Sequence, residues 1–227
     1  PGNYPYPSSY LLNGDAELPA WPVRVACSFF DGWEGRGEGG AAPRPGPPPP
    51  PFAALRSAVG VFYNATGAAP CFDPAAGSGS GATDDDGDLW GYQACTEMWM
   101  PMWRDGVGDM FYASPWDGDA AAAACRDAYR ATPKPLWADV EFGGRHLASL
   151  TNVVFTNGGF DPWSGGGVLA DVSGSAVALV IPEGGHHLDL MFSNAADPPS
   201  VVAVREAQRA AMRAWIAEAN GGGRGVV

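Results

Sequence analysis

The sequence predicts an α/β fold in which short parallel strands carry functional loops at their C-terminal ends and a long helix packs behind them. Three observations predict it. The run Asn152, Val153, Val154, Phe155, Thr156 is short, apolar and stopped by Asn157-Gly158-Gly159, as expected of a strand buried on both faces. A second run from Ala176 to Ile181 is stopped by Pro182 and Gly184-Gly185. Asp197-Pro198 then opens a helix with a capping residue and a proline at the first position, and Asn220-Gly221-Gly222-Gly223 closes it. Strand, loop, strand, loop, helix is the edge pattern of a parallel α/β sheet.

Upstream, the pattern is helical and interrupted. Residues 52–63 carry Leu55, Val59 and Phe62 at helical spacing, and residues 119–131, rich in Ala and followed by Pro133, form a second helix candidate. Two segments lack any periodic apolar pattern. One is the Pro-rich stretch 43–51, preceded by a Gly-rich run over 32–40 and suited to a solvated polyproline segment. The other is the Gly-, Ser- and Asp-rich stretch 75–88, with Asp84, Asp85, Asp86 and Asp88. Both are expected as surface insertions; the acidic one has a competing role as a rim that attracts cations or amines. In the terminal helix Val201, Val204, Ala211 and Trp215 follow helical spacing, with Arg205, Arg209 and Arg213 on a polar side.

Composition narrows the function classes. The 227 residues carry a net charge of −12, with 32 Gly and 22 Pro, yet 46% are hydrophobic and nine are Trp, enough apolar material for a core. The acidic balance argues against a nucleic-acid partner, which requires clustered Lys and Arg. Lys134 is the only lysine among 13 basic residues. No apolar stretch reaches membrane-spanning length, so no membrane partner is expected. The chain begins at Pro1 without Met or a signal-like segment, so an upstream part is expected to have been removed or left out. Cys27, Cys71, Cys95 and Cys125 are too few and too dispersed for a zinc cluster, and neither metal nor other cofactor is expected. The sequon Asn64-Ala65-Thr66 and the cysteines together lean towards an oxidising compartment: the secretory pathway, a lysosome or vacuole, or the exterior.

Both loops that follow the strands hold catalytic residue types. Asp161 lies after the first run and His186 after the second, 25 residues later. That is the order of the last two members of the Ser, Asp, His relay of α/β-hydrolases. In such a relay the carboxylate fixes the imidazole tautomer through one ring nitrogen, and the other nitrogen takes the serine proton. On spacing alone, an Asp-Pro turn in a plain structural loop is the competing reading. Ser164 is read as a turn residue, and His146 as a surface or loop histidine.

Five stretches stand out: Asn3-Tyr4-Pro5-Tyr6, Leu18-Pro19-Ala20-Trp21-Pro22-Val23, Tyr92-Gln93-Ala94-Cys95-Thr96-Glu97, the loop 157–167 and the loop 183–190. Taken together they resemble the serine exopeptidases that include lysosomal Pro-X carboxypeptidase and dipeptidyl peptidase II. The resemblance implies the C-terminal portion of an α/β-hydrolase fold over 136–227, and part of a mainly helical cap domain over 1–135. It implies Asp161 as catalytic acid and His186 as general base. His187 is left between a substrate contact and a helix-start or supporting role. Trp163 and Met100 match positions that line the pocket for a proline before the cleaved bond; for Met100, packing beside Met98, Trp99 and Met102 is the competing reading. The stretch Glu97-Met98-Trp99-Met100-Pro101-Met102 looks more like the carboxypeptidase branch. The resemblance also pairs Cys95 with Cys125, a closure expected to stabilise by about 3 to 4 kcal/mol on the chain-entropy model. Cys27 and Cys71 look like cysteines with partners in an upstream segment, and would otherwise stay free or pair with each other. Trp103 stands where the carboxypeptidase branch has a further cysteine.

The nucleophile is the departure. No Gly-x-Ser-x-Gly occurs, and the nearest approach, Gly77-Ser78-Gly79-Ser80-Gly81, has glycine at its centre. The expectation is therefore an exopeptidase of the Pro-X carboxypeptidase type whose acid and base lie in this chain and whose serine lies in a missing N-terminal part. The isolated chain is expected to be inactive. A dipeptidyl peptidase releasing N-terminal dipeptides, its substrate amine met by the Asp84–Asp88 loop, is one alternative. A non-catalytic, hydrolase-like binding protein is another, and a homodimer is left open. The expected partner is a peptide with proline at the cleavage site.

Overall fold

The computed structural model describes residues 2–12, 14–31, 51–72 and 89–222. The expected insertions at 43–51 and 75–88 and the Gly-rich run 32–40 lie outside these residues, apart from Pro51, which is the first residue of a helix. The chain divides into two compact units, Pro1–Gly81 with Leu150–Val227, and Ala82–Ser149. This is a different division from the single boundary after residue 135, because the N-terminal segment folds with the C-terminal strands and helix.

In the first unit, Tyr4 is buried near the start of the chain and Ser8 pairs with Leu18 in an antiparallel bridge. Helix α1, Pro22–Ser28, follows Trp21, which takes a left-handed conformation (φ 51°) while its N–H donates to the Tyr4 carbonyl at 2.7 Å. Pro22 at the first helical position has no N–H to leave unpaired there. Helix α2, Pro51–Tyr63, packs on α1. Its buried residue is Ala54, whereas Leu55 is half exposed, so the inner face of the helix is offset from the one its large apolar residues suggest.

The second unit holds helices α3 (Leu89–Thr96), α4 (Gly118–Tyr129) and α5 (Trp137–Phe142). Asp117 caps α4 by accepting from the Ala120 N–H at 2.9 Å, and Arg130 ends it in a left-handed conformation. Cys95 on α3 and Cys125 on α4 form a disulfide with Cα atoms 5.7 Å apart. Between these helices, Asp105 accepts from the Val107 and Gly108 N–H groups. Those backbone hydrogen bonds hold its carboxyl below the usual carboxylate range.

Strand β1, Val153–Gly158, and strand β2, Ala176–Ile181, return to the first unit and pair in parallel from Val153↔Ala176 to Gly158↔Ile181. β1 runs two residues past the expected stop and is only half-buried along most of its length. Among the described residues the sheet has two strands, so each has one partner, and full burial on both faces is not reached. The covering element is helix α6, Pro199–Gly222. Val201 and Val204 on α6, Ile181 at the end of β2, Leu188 and Tyr4 form one buried cluster, with Tyr6, Leu179 and Met191 packed against it. Each large apolar side chain buried there contributes about 1.5–3 kcal/mol.

Two expectations for α6 need correction. Asp197 is not its cap: the Val202 N–H donates to the Pro198 carbonyl, and Asp197 Oδ2 instead accepts from the Asn194 N–H at 2.8 Å and from Arg205 at 2.6 Å. Arg205 does not share a solvated side with Arg209 and Arg213, since it is 7% exposed. Its charge is met inside the fold by Asp197, which a spacing pattern of arginines does not reveal.

Candidate active site

The site is built where β1 and β2 end. β1 closes on Gly158 and Gly159, and the loop after β2 passes directly over them. A Cβ on Gly158 would sit 2.3 Å from the Gly184 carbonyl oxygen, and one on Gly159 would sit 2.2 Å from that of Pro182. Only glycine allows this approach. Backbone hydrogen bonds fasten it, from Gly159 N–H to the Ile181 carbonyl at 2.8 Å and from Phe160 N–H to the Gly184 carbonyl at 2.9 Å.

Asp161 follows at once. It is 8% exposed and caps the 3₁₀ turn Pro162–Gly166, its Oδ1 accepting from the Trp163 N–H at 3.1 Å. The other oxygen, Oδ2, accepts from His186 Nδ1 at 2.8 Å. A carboxylate fixed by a backbone N–H on one oxygen and an imidazole on the other has little freedom to rotate. The His186 side chain is 32% exposed. The pair can orient an imidazole, hold its Nδ1 proton and stabilise an imidazolium.

Other side chains hold the histidine loop from below and from the side. The buried Tyr4 hydroxyl donates to the His186 carbonyl at 3.0 Å. Burial, then the nearby Tyr10 and Tyr6 phenols and Asp161, push the Tyr4 phenol well above its ordinary range, so it remains a neutral donor. His187 is left-handed (φ 38°), its Nε2 lies 2.8 Å from the Tyr10 hydroxyl, and its ring centroid is 4.3 Å from that of His186. This contact gives His187 a supporting partner. Ser200 donates to Glu183 Oε1 at 2.8 Å, and Gln208 donates to Asp189 Oδ2. Arg205 donates to the carbonyls of Leu188, Asp189 and Met191.

Trp163 stands in the Asp161 turn, 40% exposed, with its ring centroid 6.4 Å from that of His186. Met100 lies in the second compact unit, half-buried in the segment after α3, where Trp99 contacts Trp116. Ser164 sits inside the 3₁₀ turn, its N–H bound to the Asp161 carbonyl. His146 is exposed in a loop. The Asn64 side chain, at the C-terminal end of α2, accepts from the Ala69 N–H at 2.7 Å through Oδ1. Cys27 and Cys71 are exposed and free. Among the described residues no group of three or more His, Cys, Asp or Glu could hold a metal ion, and no helix is long and apolar enough to cross a membrane.

Sequence reasoning assigned no role to Tyr4, Tyr10 or Arg205. Tyr4 did lie in a stretch matched to the family, which was the available signal. Tyr10 is separated from its histidine by 177 positions, and Arg205 was hidden in an apparently polar repeat.

Comparison with known proteins gives the family. The family model for serine carboxypeptidase S28 matches residues 55–208. Lysosomal Pro-X carboxypeptidase of Bos taurus is 40% identical over 217 residues, covering 95% of this chain and 40% of the relative. The Homo sapiens protein of the same name is 37% identical over 215 residues, covering 94% and 40%. Prolyl carboxy peptidase like protein 5 of Caenorhabditis elegans is 33% identical over 228 residues, covering 95% and 42%. The chain thus spans about 40% of the length of these relatives. With two thirds of its residues inside the family match, the chain belongs to the serine carboxypeptidase S28 family.

Proposed function

We propose that this chain supplies the acid and base of a serine exopeptidase that cleaves after a penultimate proline near a peptide C-terminus. The observation that carries the reading is the 2.8 Å contact between Asp161 and His186 Nδ1, made by loops at the C-terminal ends of adjacent parallel strands, where chemistry gathers in α/β sheets. In this reading the two strands and α6 belong to an α/β-hydrolase fold. The nucleophilic serine comes from polypeptide outside these 227 residues, whose sequence contains no Gly-x-Ser-x-Gly.

The chemistry follows from the geometry. Asp161 holds the Nδ1 proton, so Nε2 presents its lone pair. It takes the proton of the serine hydroxyl as that oxygen attacks the carbonyl of the proline residue, then returns the proton to the departing amine. Water, deprotonated by the same nitrogen, releases the acyl group. Asp161 stabilises the imidazolium in both halves. Trp163 offers a flat apolar wall beside the base, suited to a proline ring. The relatives named lysosomal support a secretory or lysosomal location, in which Asn64 would carry a glycan.

Full-length protein should hydrolyse N-terminally blocked peptides ending in Pro-X, and the isolated 227-residue chain should not. Preference for free-amine dipeptide conjugates would favour the dipeptidyl peptidase alternative, and a full-length protein inactive on both would leave a hydrolase-like binding protein.

A further inference from the structure

We propose that Arg205 is a positioning residue for the general base, acting through the turn that follows His186; this inference rests on His186 being that base. Arg205 projects from α6 into the interior and is 7% exposed. Its Nε donates to the Asp189 carbonyl at 2.8 Å, and its Nη2 donates to the carbonyls of Leu188 at 3.1 Å and Met191 at 3.0 Å. Nη1 donates to Asp197 Oδ2 at 2.6 Å and to Ser193 Oγ at 3.4 Å. Five contacts match the five N–H groups of a guanidinium.

The distribution of those contacts is what points to the base. Three fall on carbonyls of one short turn, Leu188–Leu190 and its C-cap Met191, which begins two residues after His186. Within the turn only the Leu188 carbonyl has a backbone donor, the Met191 N–H at 3.3 Å, and buried carbonyls left unpaired are costly. The planar fork closes all three at once from a rigid, long helix. Asp197, whose side chain is 1% exposed, compensates the charge. Leu188, the first residue of the turn, is fully buried, and Tyr4 ties down the His186 carbonyl. The histidine backbone is thereby held between Tyr4 on one side and Arg205 on the other. Asp161 is also held by its own turn, so a shift of His186 within its loop would open the contact between acid and base. Misplacement on the order of 1 Å can cost about 10²-fold in rate.

Lysine keeps the positive charge for Asp197 but offers donors from a single point, so it cannot span three carbonyls. In the full-length enzyme, Arg205→Lys should lower kcat by about 10- to 100-fold with KM on a blocked Pro-X peptide changed by less than about twofold, at a temperature where the variant is folded. Asp197→Asn, which keeps the guanidinium but weakens its anchor, should give a smaller loss of the same kind, and it decides the matter if Arg205→Lys does not fold. A lowered melting temperature with kcat unchanged would show a purely structural arginine and overturn the proposal. A rise in KM with kcat retained would overturn it as well. His186→Ala is assayed in parallel: if that variant stays active, the assignment of the base fails instead.

Discussion

The two loops that meet at the site are held in place by different means. The Asp161 loop is set mainly by its own neighbourhood, a 3₁₀ turn begun by Pro162 and a carboxylate that caps that turn, beyond the glycines where it is bonded to the loop after β2. The His186 loop is fixed by residues far away in the chain, with Tyr4 lying 182 positions before it and Arg205 on the helix after it. A carboxylate that needs only one orientation can be set locally. The imidazole proposed to exchange a proton with substrate is more exposed, and its backbone draws support from several directions.

Variants can break or sharpen this contrast. The largest effect should come from His186→Ala in full-length protein, with kcat reduced by about 10⁴-fold or more and unfolding nearly unchanged; retained activity would remove the imidazole from the chemistry. Gly158→Ala attacks the place where the loops cross, where the new methyl meets the Gly184 and Gly185 carbonyl oxygens. It should destabilise by about 1–3 kcal/mol in urea titration, and an unchanged midpoint would mean that the close approach is not required. Tyr4→Phe loosens only the histidine loop, leaving the His186 carbonyl without its donor, at a cost of about 1 kcal/mol.

Tyr4 also sets an alkaline limit. Because its phenol is raised by burial in the folded state, folding favours the neutral form. That contribution is complete below the ordinary tyrosine value of about 10 and is lost as pH rises above it towards the folded value. Wild-type stability should fall above about pH 10, and Tyr4→Phe should fall less steeply. Equal slopes would place the alkaline sensitivity in other tyrosines. The smallest effect is expected for Tyr10→Phe, whose hydroxyl meets His187 at an exposed position; a loss in kcat of about threefold or less fits a supporting contact, whereas a loss as large as that of His186→Ala would put His187 in the reaction itself.

Much of this arrangement was legible in the sequence, for physical reasons that also mark where legibility ended. β2 matches its apolar run because Ala176 and Ile181 bury their side chains at its two ends. Asp161 and His186 were visible because strand ends in a parallel sheet align the loops that follow them. The start of α6 was misplaced because Asp197 has the chemistry of a cap yet serves an internal arginine. Arg205, Arg209 and Arg213 share a spacing, but Arg205 meets a buried carboxylate and three carbonyls of one turn. Spacing alone carries no information about such partners. The contacts of Tyr4 and Tyr10 close loops of more than 170 residues, and local pattern cannot register them.

The most direct test of the central claim is the steady-state hydrolysis of an N-terminally blocked Pro-X peptide by full-length protein and by its Asp161→Asn variant. Asparagine preserves the size of the side chain and the cap on Trp163, but its amide removes the carboxylate that holds the Nδ1 proton. A fall in kcat of about 10⁴-fold with the unfolding midpoint little changed is expected. Activity of the Asp161→Asn variant equal to that of the wild type would contradict it.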